Sequence, residues 1–358
     1  MALEPLAMGR PQTTIKGRGA ADNPRGRFEK LARSREPEAE IPTRPQTVVT
    51  LQRARSIITR NESPDLPFAQ SINPYQGCEH GCIYCYARPS HAYLGLSPGL
   101  DFETRLFAKE NAAELLREEL SRPDYRCEVI ALGANTDPYQ PIERERRITR
   151  SVLEVLREFR NPFGIVTKGS LIERDLDLLA PMAQQNLVHV FISIGTLDGE
   201  IARTLEPRAA APYRRVETVR RLSERGVPCG VLVAPIIPFL NDKDLEAVLE
   251  SARDAGARMA GYTLLRLPWE VKDLFKDWLE RCYPLKAAHI MARIRDTRGG
   301  RENDPEFGTR MKGEGQFAEL IRSRFDIACR RLGLSTGERN RLDTGKFRRP
   351  GPEQRALF

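Results

Sequence analysis

The 358-residue chain has no run of about 18 apolar residues, so a membrane-spanning helix is not expected. Its first residues, MALEPLAMGRPQTTIKGRGA, hold no continuous apolar stretch, so a secretory signal is not expected either. Tandem repeats are absent. The seven cysteines are too few and too unevenly placed for a disulfide framework: their number is odd, and three fall within eight residues. That pattern points to metal or redox chemistry in a reducing cytoplasm. The middle of the chain also lacks net charge. Of the overall +8, most sits at the ends, since residues 1–60 carry 12 Lys/Arg against 6 Asp/Glu and residues 335–358 carry 6 against 3. Basic ends are either solvated arms or contacts for an acidic partner such as nucleic acid.

What is present is regular. Residues 1–62, rich in Pro, Gly, Arg and Glu, read as a basic, largely irregular arm, and 335–358 as a basic tail. Between them strand-like and helix-like segments alternate. Strands are expected at FAQSINPY (68–75), CEVIALG (127–133), FGIVTKG (163–169), LVHVFISIGT (187–196), VPCGVLVAPIIP (227–238) and MAGYTLLRLP (259–268). Helices are expected at 108–122, 146–159, 171–185, 211–226, 242–256 and 270–282. Six βα units imply an α/β fold with a parallel sheet under helices. A doubly wound sheet and a barrel both fit, and six units are too few for a full (β/α)8 barrel. Residues 63–285 form this core. Residues 286–334 follow as a glycine-rich charged loop, covering an edge or an opening, and a helix over 315–334 that packs on the core.

The three clustered cysteines are Cys78, Cys82 and Cys85, spaced C-x3-C-x2-C in PYQGCEHGCIYCYARP, directly after the first strand. In either α/β arrangement this is the end of the sheet where chemistry sits. Structural zinc wants a fourth protein ligand. His80 and His91 are the nearby candidates, but His80 lies between two ligand cysteines, where a tight loop turns it inward with difficulty. Cys127, Cys229, Cys282 and Cys329 sit in apolar strand or helix contexts and read as small core residues. A [4Fe–4S] cluster suits three thiolates better, because the fourth iron then keeps a position open for a non-protein ligand.

These residues carry a resemblance. C-x3-C-x2-C after a first strand, with Tyr84 before the last cysteine, resembles the radical SAM superfamily. GCEHGCIYCYARP, NTDPYQPIE (135–143), IVTKGS (165–170), LEPRAAAPYRRVE (205–217) and LVAPIIPFLND (232–242) resemble its spore photoproduct lyase-like branch, over roughly residues 65–285. The resemblance implies a partial (β/α)6 barrel of the radical SAM type with extended N- and C-terminal arms. It implies a [4Fe–4S] cluster on Cys78, Cys82 and Cys85 and S-adenosylmethionine on the open iron. It also implies reductive cleavage to a 5′-deoxyadenosyl radical and a one-electron donor such as a flavodoxin or ferredoxin.

Roles for further residues follow from the groups S-adenosylmethionine presents. Lys168, after the third strand, can pair with its carboxylate, and Ser193 can add a hydroxyl; the alternatives are a surface lysine and a core serine bonded to backbone. Thr136 and Asp137 lie where the lyase branch contacts the cofactor, and Asp137 can accept from the ribose or the ammonium; the alternative is an Asp-Pro turn. Glu143 is a weaker candidate for the same role. Glu206 and Arg208 pair with each other or line the pocket. Tyr84 and Tyr86 pack near adenine or shield the cluster, and Pro235 and Pro238 shape the end of the fifth strand near adenine.

One departure stands out. The lyase branch carries a cysteine near the end of strand two that returns a hydrogen atom to the product radical. This chain has LGANTDP there, with Ala134 at about that position, and no cysteine between 127 and 229. Thymine-dimer repair is therefore not expected, and the substrate stays open, nucleic acid included. A second cysteine-rich segment is absent, so one cluster is expected. The competing reading is a non-catalytic zinc or nucleic-acid-binding protein.

Overall fold

The computed structural model describes residues 15–29, 45–337 and 342–350. Among them are ten strands: β1 (Val48–Gln52), β2 (Ile58–Arg60), β3 (Gln70–Ile72), β4 (Tyr75–Gln76), β5 (Arg105–Lys109), β6 (Ile130–Leu132), β7 (Phe163–Thr167), β8 (Val188–Ser193), β9 (Cys229–Ile236) and β10 (Met259–Leu264). The larger sheet runs β10-β9-β8-β7-β6-β3-β2. Its pairs from β3 to β10 are all parallel, and only β2 is antiparallel, at the edge. A doubly wound sheet reverses its strand order at a switch point. Here the six parallel strands follow chain order without reversal, so each right-handed crossover puts its helix on the same face. Such a sheet curls around its other face into a partial (β/α)6 barrel. It does not close, because β10 and β2 remain edges.

The helices form because their apolar residues recur on one face. In Ile148–Phe159 the buried positions include Ile148, Val152, Leu156 and Phe159, a stripe at three- to four-residue spacing. The helix Pro212–Glu224 buries Arg215, Val219 and Leu222 on its inner face. Expected and observed elements differ at several places, among them the expected first strand 68–75, which divides into β3 and β4 in different sheets. The N-terminal segment expected to be largely irregular supplies β1 and β2. Residues 105–109 form β5 rather than belonging to the helix expected from 108, which begins at Ala112. Leu106 and Ala108 point inward while their neighbours do not, the alternation of a strand. A helix Pro284–Asp296 stands before the long loop.

β1, β5 and β4 make a second, small sheet. β4 leads directly into the cysteine loop, so this sheet holds the loop's stem. Residues 297–313 run along the free edge of β10, where Leu264 N–H donates to Met311 O at 2.9 Å. The helix Gly315–Leu332 packs beyond it, with Arg324 donating to Glu246. Among the described residues no helix is long and apolar enough to cross a membrane.

Candidate cluster and cofactor site

Cys78, Cys82 and Cys85 are free thiols on the loop after β4. The loop is a chain of tight turns: Gly81 N–H donates to Cys78 O, Cys85 N–H to Cys82 O, and Arg88 N–H to Cys85 O. Gly81 has φ +66°, and a Cβ there would stand 2.8 Å from Glu103 Oε2, so the turn requires glycine. Two outside segments fix the loop. Ile83 N–H donates to Leu205 O and Arg208 N–H to His80 O, behind the helix Gly199–Leu205. Residues 15–29 press on the other side so closely that a Cβ on Gly19 would lie 2.0 Å from Gly81 O.

Behind the loop two buried ion pairs, Arg88–Glu103 and Arg215–Glu206, are surrounded by further hydrogen bonds. Arg88 donates to Cys82 O, Gly81 O, Pro98 O, Gly99 O and the Glu103 carboxylate. Glu103 also accepts from Gly19 and Ala20 N–H. Glu206 accepts from the Tyr84 hydroxyl and from Arg215, whose other nitrogens donate to Ala210 O and Ser193 O. Arg215 is the partner of Glu206; Arg208 instead pairs with Glu79 at 3.0 Å. Of the two readings for Glu206 and Arg208, the mutual pair does not form, because Arg215, on the buried face of its helix, takes the Glu206 carboxylate. An arginine on the apolar stripe of an amphipathic helix was the available signal.

The thiols sit in apolar surroundings with Ala87, Phe102, Ile83, Ile237 and Leu265. Burial pushes the Cys78 thiol well up and the Cys82 thiol to about 12, with Lys168 opposing the shift at Cys82. Such thiols give up their protons only to a strongly cationic centre. Among the described residues no three His, Cys, Asp or Glu side chains converge to hold a single metal ion. A cubane cluster takes each thiolate on a different iron, so three thiols spread over one loop, free of disulfide, fit it by chemistry. Neither histidine is turned to them. His80 Nδ1 lies 3.3 Å from Asp137 Oδ2, and His91 Nε2 lies 2.9 Å from Arg105 O.

The polar residues at the strand ends divide into two kinds. Asp137 accepts from Tyr139 N–H, Thr167 Oγ1, Lys168 N–H and His80, and burial notwithstanding these contacts, His80 foremost, hold its carboxyl below the usual range. Thr136 Oγ1 donates to Tyr75 O and Ser193 Oγ to Ala234 O. Glu143 accepts from Tyr75, from Arg174 and from Thr149 and Arg150 N–H at the start of a helix. These four side chains tie elements together. Lys168 differs. Its Nζ lies over the Tyr84 ring at 5.8 Å and makes no hydrogen bond to the described residues. Burial disfavours its charge, but Cys82 and Glu206 outweigh that and raise its pKa. Tyr86, beside Cys85, donates from its hydroxyl to Ala134 O. Pro235 follows a cis peptide in β9, and Asn241 clamps Gly195 O and Pro235 O together at the ends of β8 and β9.

Comparison with known proteins agrees with this geometry. The radical SAM superfamily model matches residues 72–252. An uncharacterised protein of Mycobacterium tuberculosis is 40% identical over 221 residues, covering 61% of this chain and 65% of that protein. This chain thus aligns with less than two thirds of that relative's length. An uncharacterised protein of Methanocaldococcus jannaschii is 27% identical over 213 residues, 60% of this chain and 76% of that one. Among solved structures, spore photoproduct lyase complexed with dinucleoside spore photoproduct superposes with a TM-score of 0.58 at 15% identity, covering 86% and 87% of the two chains. A variant of that lyase with bound AdoMet gives 0.55 at 15% identity, covering 80% and 81%. These likenesses speak for the fold.

Proposed function

Because the chain belongs to the radical SAM superfamily, we propose that it is an enzyme that binds one [4Fe–4S] cluster through Cys78, Cys82 and Cys85 and cleaves S-adenosylmethionine reductively. The observation that carries this reading is the placement of three free thiols, Cys78 and Cys82 buried and Cys85 partly so, on one loop at the C-terminal end of the first parallel strand, with the unpartnered Lys168 ammonium beside Cys82. When bound, the reduced cluster supplies one electron to the sulfonium, giving methionine and a 5′-deoxyadenosyl radical for hydrogen abstraction.

The chain's own residues do the rest. Lys168 Nζ receives the cofactor carboxylate, a charge-assisted bond in a poorly hydrated site. Asp137 positions it by accepting the Lys168 N–H and holding His80, which joins β7 to the cysteine loop. Thr136 and Ser193 fix the backbone around the cofactor through Tyr75 O and Ala234 O. Tyr84, locked to Glu206, lays its ring between Lys168 and the apolar cluster and excludes water. The substrate reaction differs from that of the lyase, since Ala134 offers no thiol to return a hydrogen atom. A flavodoxin or ferredoxin is the proposed electron donor, and nucleic acid, met by the basic ends, is the first substrate class to test.

The test is anaerobic reconstitution with iron and sulfide, then dithionite and S-adenosylmethionine, with 5′-deoxyadenosine read by chromatography. Formation above a Cys82→Ala control supports the proposal. Zinc uptake without iron uptake sinks it.

A further inference from the structure

Around the mouth of the barrel most arginines have an anionic or carbonyl partner. Arg310 meets Asp65 through two 2.6 Å bonds. Arg298, buried, donates to the carbonyls of Leu264, Leu265, Thr309 and Arg310. Arg266 has neither. It lies two residues past β10, its Nη1 meets only the Met311 sulfur at 3.6 Å, and its Nε is buried without a partner. Among the described residues its guanidinium makes no other hydrogen bond. The carboxylates around it are spent: Asp65 on Arg310, and Asp304 on the Thr309 hydroxyl and Glu306 N–H. Burial, then Arg310, draws its pKa down, as expected for a cation held without a counter-ion.

The position of this unmet cation matters. Its carbon lies 5.7 Å from the centre of the Tyr86 ring. Tyr86 adjoins Cys85 and reaches Ala134 O beyond β6, while Arg266 comes from beyond β10, the last parallel strand. The contact therefore spans the open side of the barrel beside the cysteine loop. A buried charged donor without an acceptor costs stability, and a fold retains such a cost where function needs the group.

We infer that Arg266 receives an oxyanion of the substrate on the open side of the barrel, with the Tyr86 ring as the wall beneath it. The planar fork of N–H donors suits the paired oxygens of a phosphoryl or carboxylate group. Arg266 is a binding residue, away from the reacting atoms. The inference rests on the reading above, that the chain is a radical SAM enzyme acting on a substrate.

The test is thermal unfolding of the reconstituted full chain, anaerobically, in inorganic phosphate, in acetate and in chloride at equal ionic strength. Wild type should gain about 2–4 °C in phosphate or acetate at roughly ten times the dissociation constant. Arg266→Met should lose that gain while keeping any general salt effect. Whichever anion acts assigns the phosphoryl or the carboxylate class. In chloride, Arg266→Met should melt at or above wild type, because an unpaired cation has been removed. An equal gain in both proteins, no gain in either, or a lower melting point for the variant in chloride overturns the inference. Should Arg266→Met not fold, Arg266→Lys takes its place: the gain falls by at least half if the fork binds, and full retention overturns the inference. Melting does not use cofactor cleavage. Absence of 5′-deoxyadenosine therefore sinks the functional reading by itself, and a missing oxyanion effect sinks only this one.

Discussion

Behind the cysteine loop, Arg88 and Glu103 are both fully buried, and each spends its remaining hydrogen bonds on backbone of the loop, of residues 15–29 and of the turn at 98–99. In front of the same loop, Lys168 and Arg266 hold cations that meet no carboxylate at bonding distance. Both groups border one short stretch of chain, yet they treat charge oppositely. A buried ion pair is tolerable only when fully hydrogen-bonded, and the back meets that condition. The front does not, so its charges contribute little to the fold. They wait for negative charge that S-adenosylmethionine and a substrate would bring. Pairing thus separates the residues that build the loop from those that serve ligands.

The largest expected effect is at the boundary between the faces. Cys82→Ala should lose the cluster iron and lower 5′-deoxyadenosine at least about 100-fold, a barrier increase of roughly 3 kcal/mol, measured by iron content and chromatography. Full iron loading would move the ligand set elsewhere. Next is the back. Glu103→Ala strands Arg88 in the interior and frees two N–H groups, so urea unfolding should show a loss of about 3–5 kcal/mol. A loss below about 1 kcal/mol would erase the distinction between the faces. The front should respond the other way. Lys168→Met should change stability by less than about 0.5 kcal/mol yet weaken S-adenosylmethionine binding about 10- to 100-fold, the worth of one charge-assisted bond. Equilibrium dialysis of the reconstituted protein measures this. A variant as unstable as Glu103→Ala would place Lys168 among the structural charges.

Local pattern carried much of this into the sequence. The six buried strand runs and their helices could be read because each repeats its period over several residues, and Cys78, Cys82 and Cys85 because their spacing is compact. Lys168 was legible as a cation directly after a strand. Long-range pairing was not. Asp137, Thr136 and Ser193 carry the right groups, but only the fold shows their hydrogen bonds committed to His80, Thr167, Tyr75 and Ala234. Glu206 could not be matched to Arg215 instead of Arg208 without knowing which face of Pro212–Glu224 turns inward. β5 was hidden because its five residues run almost directly into strong helix formers. Strand order is likewise a non-local property: alternation gives a parallel sheet, and only the pairings separate a partial barrel from a doubly wound sheet.

The smallest expected effect sharpens the comparison most. Asp65 and Arg310 join the segment before β3 to the loop beyond β10, across the open side, and their side chains are 11% and 14% exposed. Hydrogen bonds from Arg310 hold the Asp65 carboxyl below its usual range. A carboxyl depressed on folding stabilises the native state above its unfolded pKa, about 3.9, and loses that contribution as pH falls through the folded value. Asp65→Asn should therefore cost about 1–2 kcal/mol at pH 7, and its gap from wild type should close as pH drops below about 4. It also makes Arg310 a second unpaired guanidinium next to Arg266. If unpaired cations are what the front offers to ligands, the phosphate- or acetate-dependent gain in melting temperature should be larger in Asp65→Asn than in wild type. If it is unchanged, lack of a partner alone does not make a cation receptive, and the difference between Arg266 and Arg310 lies in where each guanidinium points.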